Sequence, residues 1–199
     1  MVVHLRATKL LAFFAFTLLL SAVVAQTKPT YSAHSHVVSL PRENVTHIPS
    51  LDRKWTLIFE ISDVYKTQKL WIQRNGSSER TPVRDFERSL DISWSPDSHH
   101  FFVNDASGST ETLCYVYEPV TLKVTDVAQL VAKASPKGAK YLGAHHSYLN
   151  AKRWVNSHQV IVKLEAYFDE SPPNTPGFSG TYLVDLNGSV RKLRERYWR

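Results

Sequence analysis

The sequence predicts an all-β chain of three consecutive antiparallel β-meanders joined by one short connecting helix. Two observations predict it. Short runs alternate apolar with polar residues between turn sequences, and similar runs return at a spacing of roughly 45 residues, the period of a stacked repeat unit.

A leader precedes the meanders. Arg6 and Lys9 form a short positive start, "LLAFFAFTLLL" from Leu10 to Leu20 is apolar except for Thr17, and Val23-Val24-Ala25 offers small residues to a signal peptidase. The run is shorter than the ~20 residues a bilayer crossing needs, so residues 1–25 read as a cleaved secretory signal. The expected location is secreted or periplasmic, with no transmembrane span after cleavage. Residues 26–50 read as an extended N-terminal segment and residues 51–199 as the domain. Losing Arg6 and Lys9 leaves 22 basic residues against 18 acidic ones, a net charge of +4. That excess is too small and scattered to argue for nucleic acid. Cys114 is the single cysteine, so no internal disulfide braces the fold, and within "TLCYVY" it reads as a small buried residue.

In the first meander Trp55, Leu57, Phe59 and Ile61 share one strand face, "KLWIQR" is the next strand, "NGSS" turns, and a third strand lies around Val83. The second meander runs "LDISW", the turn "SPDS", "HHFFVND", a loop, "TLCYVYE" and "VTLKVTD", with Val120, Leu122 and Val124 alternating. The period then changes. Thr125 or Asp126 can cap a helix carrying Val127, Leu130, Val131 and Ala134, and "SPKG" stops it. The third meander begins at Tyr141 and places Val160, Val162, Leu164, Ala166 and Phe168 on one face, with "TYLVDL" and "VRKL" completing it.

Within the second meander "SWSPDSHHFFV" resembles the blade motif of TolB-like and prolyl-oligopeptidase-type β-propellers. The clear match covers about Leu90 to Val127, and weaker matches extend to Trp55–Val83 and Trp154–Leu193. The resemblance implies blades: an inner strand ended by tryptophan, a Ser-Pro-Asp turn, then an apolar strand. Three units leave two open edges. Dimerisation into a six-bladed ring, covering by residues 27–50 and the helix, or an open stack would each answer this.

Chemistry is sparse. His99-His100 and His145-His146 are adjacent pairs whose rings should point apart on a strand, and His34-Ser35-His36 belongs to a solvated tail, so no metal is expected. Neither a cofactor nor a catalytic residue is assigned; Asp97, Asp105, Glu165 and Asp185 fall in strands or turns where structural roles suffice. Two surfaces suit ligand or partner binding: the hairpin end Asn104–Glu111, with Asp105, Ser107 and Ser109, and the basic tail with Arg191, Arg194, Arg196 and Trp198. The expected function is a non-catalytic binding or scaffold module for a protein or cell-envelope component, with a homodimer as one assembly. The alternative is a small periplasmic hydrolase.

Overall fold

The computed structural model describes residues 36–42, 46–61, 68–169 and 177–194. The expected signal segment and His34 lie outside these residues. Strand β1 (Val38–Leu40) comes first; blade 1 is then β2 (His47–Pro49), β3 (Trp55–Ile61), β4 (Gln68–Arg74) and β5 (Arg80–Phe86), an antiparallel sheet in chain order. Blade 2 is β6 (Ser89–Trp94), β7 (Phe101–Ala106), β8 (Glu111–Tyr117) and β9 (Val124–Asp126), with β1 alongside β6. Helices α1 (Val127–Ala134) and α2 (Pro136–Leu142) lead to blade 3, made of β10 (His146–Trp154), β11 (Gln159–Tyr167), β12 (Phe178–Asp185) and β13 (Val190–Leu193). The start of β10 runs parallel to the start of β8, which merges blades 2 and 3 into one sheet. Among the described residues no strand pairing returns from blade 3 to blade 1, so the described sheets do not close into a ring. No described helix is long and apolar enough to cross a membrane.

Several elements differ from the sequence-based expectation. Blade 1 has four strands rather than three, because His47–Pro49 supplies its inner strand from the segment expected to precede the domain. Val38–Leu40 of that segment also lies along a strand edge. Residues 118–123 are not strand: the Leu122 amide bonds the Glu118 carbonyl at 2.8 Å and Leu122 takes a left-handed φ of 53°, which closes a tight loop. Among the described residues two helices, not one, connect blades 2 and 3. Ser135 ends α1 and then caps α2 by accepting the Gly138 amide at 3.0 Å, and proline fits the first turn of α2, where its missing N–H costs nothing. Tyr141 and Leu142 therefore belong to α2 rather than to blade 3.

Blade 2 is buried on both faces. Leu57, Phe59, Leu70, Ile72 and Phe86 of blade 1 pack with Ile92, Trp94, Phe101 and Val103 of blade 2. On the opposite face, Phe102, Cys114 and Val116 pack with Val127, Val131, Leu149, Trp154, Val160, Val162 and Leu164. Consequently Phe101 to Asp105 is an unbroken buried run in which successive side chains alternate between neighbouring blades rather than between core and solvent.

Two polar residues end that run, and each reaches a different blade. Asn104 donates from Nδ2 to the Ala151 carbonyl at 2.9 Å and accepts the Ala151 amide on Oδ1 at 2.8 Å, gripping the inner strand of blade 3 where its register shifts. Asp105, 2% exposed, pairs with Arg84 on the outer strand of blade 1. Burial draws the Arg84 guanidinium down, but the Asp105 carboxylate more than offsets this and the guanidinium is raised. Arg84 also lies 4.4 Å from the Tyr115 ring centre.

Each tie should register as a stability loss in urea denaturation. Asn104→Ala removes both side-chain bonds to the buried Ala151 backbone and should cost about 2–3 kcal/mol. Asp105→Ala strands the Arg84 charge, for a loss of about 3 kcal/mol, whereas Ser107→Ala in the adjoining loop should stay within about 0.5 kcal/mol of the parent.

Candidate functional site

The turns after the inner strands of blades 1 and 2 are built from one hydrogen-bond set. Ser50 to Trp55 and Ser95 to His100 have the same structure. Each serine hydroxyl donates to the carboxylate two residues on, Asp52 or Asp97, at 2.7 Å, and accepts the amide five residues on at 3.0 and 2.9 Å. Each serine amide donates to the carbonyl five residues on at 2.8 Å. The fourth residues, Arg53 and Ser98, both adopt left-handed φ, 58° and 64°. The third turn, Val155 to Gln159, is one residue shorter and substitutes Asn156, whose side-chain oxygen accepts the amides of His158 and Gln159 at 3.0 and 2.8 Å.

These turns also touch one another. The Asp52 amide donates to the Ser98 hydroxyl at 3.0 Å, and Ser157 lies close enough to Asp97 to help lower its carboxyl. Burial pushes both carboxyls up, but hydrogen bonds and nearby positive charge prevail and hold them below the ordinary carboxylate range. The Lys54 amide, the Ser50 hydroxyl and Lys54 do so for Asp52; the Ser95 hydroxyl, the His99 amide and His99 do so for Asp97.

Between the turns of blades 1 and 2 lies an open groove of about 370 Å³, lined by Asp52, Lys54, Trp55, Ser98, His99, His100 and the loop Glu118–Val120. The half-buried Trp55 gives it an indole wall, and Pro119 with Val120, 78% exposed, forms the apolar lip. Polar groups rim it: Lys54 pairs with Asp52 at 3.2 Å, His99 with Asp97 at 3.2 Å and Glu118 with Lys123 at 3.6 Å. The His100 Nδ1 is enclosed without a hydrogen-bond partner, so the donor this ring can offer is Nε2. An apolar wall with flanking donors and acceptors suits binding of an amphipathic group.

Among the described residues, none of the binding candidates Asp105, Ser107, Ser109, Arg191 and Arg194 lines this groove. Asp105 is enclosed between blades, Ser107 accompanies Glu111 at 3.5 Å, and the Ser109 carbonyl accepts the Tyr148 hydroxyl at 2.9 Å. Arg191 sits on β13 opposite Leu183 and Arg194 follows that strand, both exposed; Arg196 and Trp198 lie outside the described residues. Glu165 pairs with Lys163 at 2.7 Å, and the Asp185 carboxyl is lowered chiefly by the Gln159 side chain and the Asn187 amide. The histidines at 145 and 146 depart from the alternation argument. His145 precedes the strand, so both rings approach Asp169, His146 Nε2 at 2.8 Å and His145 Nδ1 at 3.8 Å. His146 also stacks on Tyr167 at 4.2 Å. Among the described residues no three His, Cys, Asp or Glu side chains are arranged to hold a metal ion. The groove was visible in the sequence only through the Ser-x-Asp spacing shared by Ser50-Leu51-Asp52 and Ser95-Pro96-Asp97.

No family model matches the chain. No curated protein matches it either. Two solved structures are similar in chain path: the β-propeller domain of the Trilobed protease from Pyrococcus furiosus, described as having an open velcro topology, and TolB from Acinetobacter baumannii. Both are 13% identical; the TM-scores are 0.48 and 0.40, over 76% and 75% of this chain. The chain spans 43% and 32% of their lengths, less than half of either.

Two measurements follow from the turn and core chemistry. Because the folded Asp52 and Asp97 carboxyls sit below their unfolded value of about 3.9, their contribution is full above that value and is lost as pH falls through the folded one. The melting temperature should hold level from about pH 7 to about pH 5 and fall below about pH 4, and an Asp52→Asn, Asp97→Asn double variant should show a shallower acid decline. Burial pushes the Cys114 thiol up to about 12, so a thiol reagent at mildly alkaline pH should label it in denaturant and leave the folded protein unmodified.

Proposed function

We propose that the chain is a secreted or periplasmic, non-catalytic β-propeller-like module that binds a protein or cell-envelope component in the groove between the turns of blades 1 and 2. The groove carries the reading. It is shared by two blades, sits beside two turns wired to each other, and sets an indole and the exposed Val120, backed by the buried Pro119, among hydrogen-bonding groups. Groups of this kind anchor an apolar side chain or ring and fix its orientation. The leader read in residues 1–25 supports export, and the unclosed blade order leaves room for a homodimer as one form of the complex.

The test is site-specific photocrosslinking in the cell of origin, with the photoreactive group at Val120 and, as control, at Lys152 on β10. A single adduct from Val120 that disappears with Trp55→Ala, with no counterpart from Lys152, is the expected result. An adduct at twice the chain's mass identifies a second copy as the occupant. Absence of any Val120-specific adduct would overturn the reading.

A further inference from the structure

Three lysines gather over one aromatic stack on blade 3. The rings of Tyr141, at the end of α2, and Phe178, at the start of β12, stack at 4.6 Å with 14° between their planes. Lys137 and Lys140 lie three residues apart on α2, and three-residue spacing makes side chains neighbours on a helix. The Lys137 ammonium is 5.5 Å from the Phe178 ring centre and that of Lys140 is 6.0 Å from the Tyr141 ring centre. Lys192 arrives from β13. It pairs across the sheet with Tyr182, which packs in the helix-side core of blade 3, and its ammonium lies 5.3 Å from the same Phe178 ring. Its neighbour Arg191 is turned to the opposite face by strand alternation.

The rings attract each ammonium, yet they do not balance the charge. Lys137 and Lys192 share one ring, so their nitrogens are no more than about 11 Å apart, within roughly one screening length of each other. Among the described residues none of the three lysines has a carboxylate partner, whereas Lys54, Lys123 and Lys163 each have one. Lysine offers a point charge with three rotatable donors, not the planar fork with which arginine matches a carboxylate. Ammonium groups held around one ring pair, with no carboxylate partner among the described residues, suit a tetrahedral anion that offers several oxygens to flexible donors.

We propose that Lys137, Lys140 and Lys192, gathered over the Phe178–Tyr141 stack, form a binding site for a phosphate ester, carried either by a soluble molecule or by a lipid headgroup. The site is separate from the groove between blades 1 and 2 and uses none of its residues.

The experiment compares the purified protein with a Lys137→Gln, Lys192→Gln variant and with Lys140→Gln alone. Inorganic phosphate and a soluble sugar phosphate are titrated against chloride at matched ionic strength while thermal unfolding is followed. Co-sedimentation uses phosphatidylcholine vesicles with and without phosphatidic acid. Phosphate should raise the melting temperature of the parent beyond the chloride effect. The double variant should bind about tenfold more weakly, and Lys140→Gln should weaken binding to a smaller degree. Trp55→Ala should respond like the parent, so failure of the groove reading and failure of this one are told apart. Binding to phosphatidic acid vesicles alone assigns the headgroup as the source, and binding of the soluble esters alone assigns the free ester. An unchanged response in the double variant, an equal effect of glutarate, or no response to any phosphate probe would overturn the proposal.

Discussion

The burial of blade 2 on both faces is the constraint on which the rest of the structure depends. A sheet with only one covered face can leave its other face to water, and blades 1 and 3 sit at the two ends of the stack. Blade 2 has no face for water. Every side chain of Phe101 to Asp105 must therefore find a partner, and where it is polar the partner must be polar as well. Asn104 meets that demand with both its amide groups on backbone, and Asp105 meets it at Oδ2 on a guanidinium while its Oδ1 has no hydrogen-bond partner. Without a disulfide, the relative placement of the blades rests on such directional contacts set within apolar packing.

The tryptophans supply a second directional contact, and it repeats. Trp94 Nε1 donates to the Ile48 carbonyl of blade 1 at 3.2 Å, and Trp154 Nε1 donates to the Ser93 carbonyl of blade 2 at 3.2 Å. Ile48 and Ser93 occupy the same place, two residues before the turn serine. The indole of each later blade thus reads the inner strand of the blade before it. The same stacking brings successive turns close enough for the Asp52 amide to reach Ser98, and the groove forms in the seam they share.

What the sequence disclosed follows from which contacts are local. Blade 2 was legible because its motif is intact: tryptophan, Ser-Pro-Asp, then an apolar strand. Blade 1 was misread at its inner strand because Pro49 stands at the tryptophan position and Leu51 at the proline position, leaving only a serine and an aspartate two residues apart. Trp55 then drew attention as a first strand although it occupies the place of His100 in the turn. Asp105 looked like a loop ligand because alternation cannot reveal a strand buried on both sides. Beyond its shared Ser-x-Asp spacing the groove left no mark for a related reason: its walls come from residues about 45 and 65 positions apart, brought together by blade stacking.

Pro49 gives the array a polarity that matters for its ancestry. A duplicated copy of blade 2, inserted behind its parent, would inherit both halves of the indole tie, Trp94 to offer and the Ser93 carbonyl to receive one. A copy of blade 1 placed in the same way would bring no indole, because proline holds that position. The indole tie thus runs one way along the described blades, from each later blade to the inner strand before it, and blade 1 receives one without giving one.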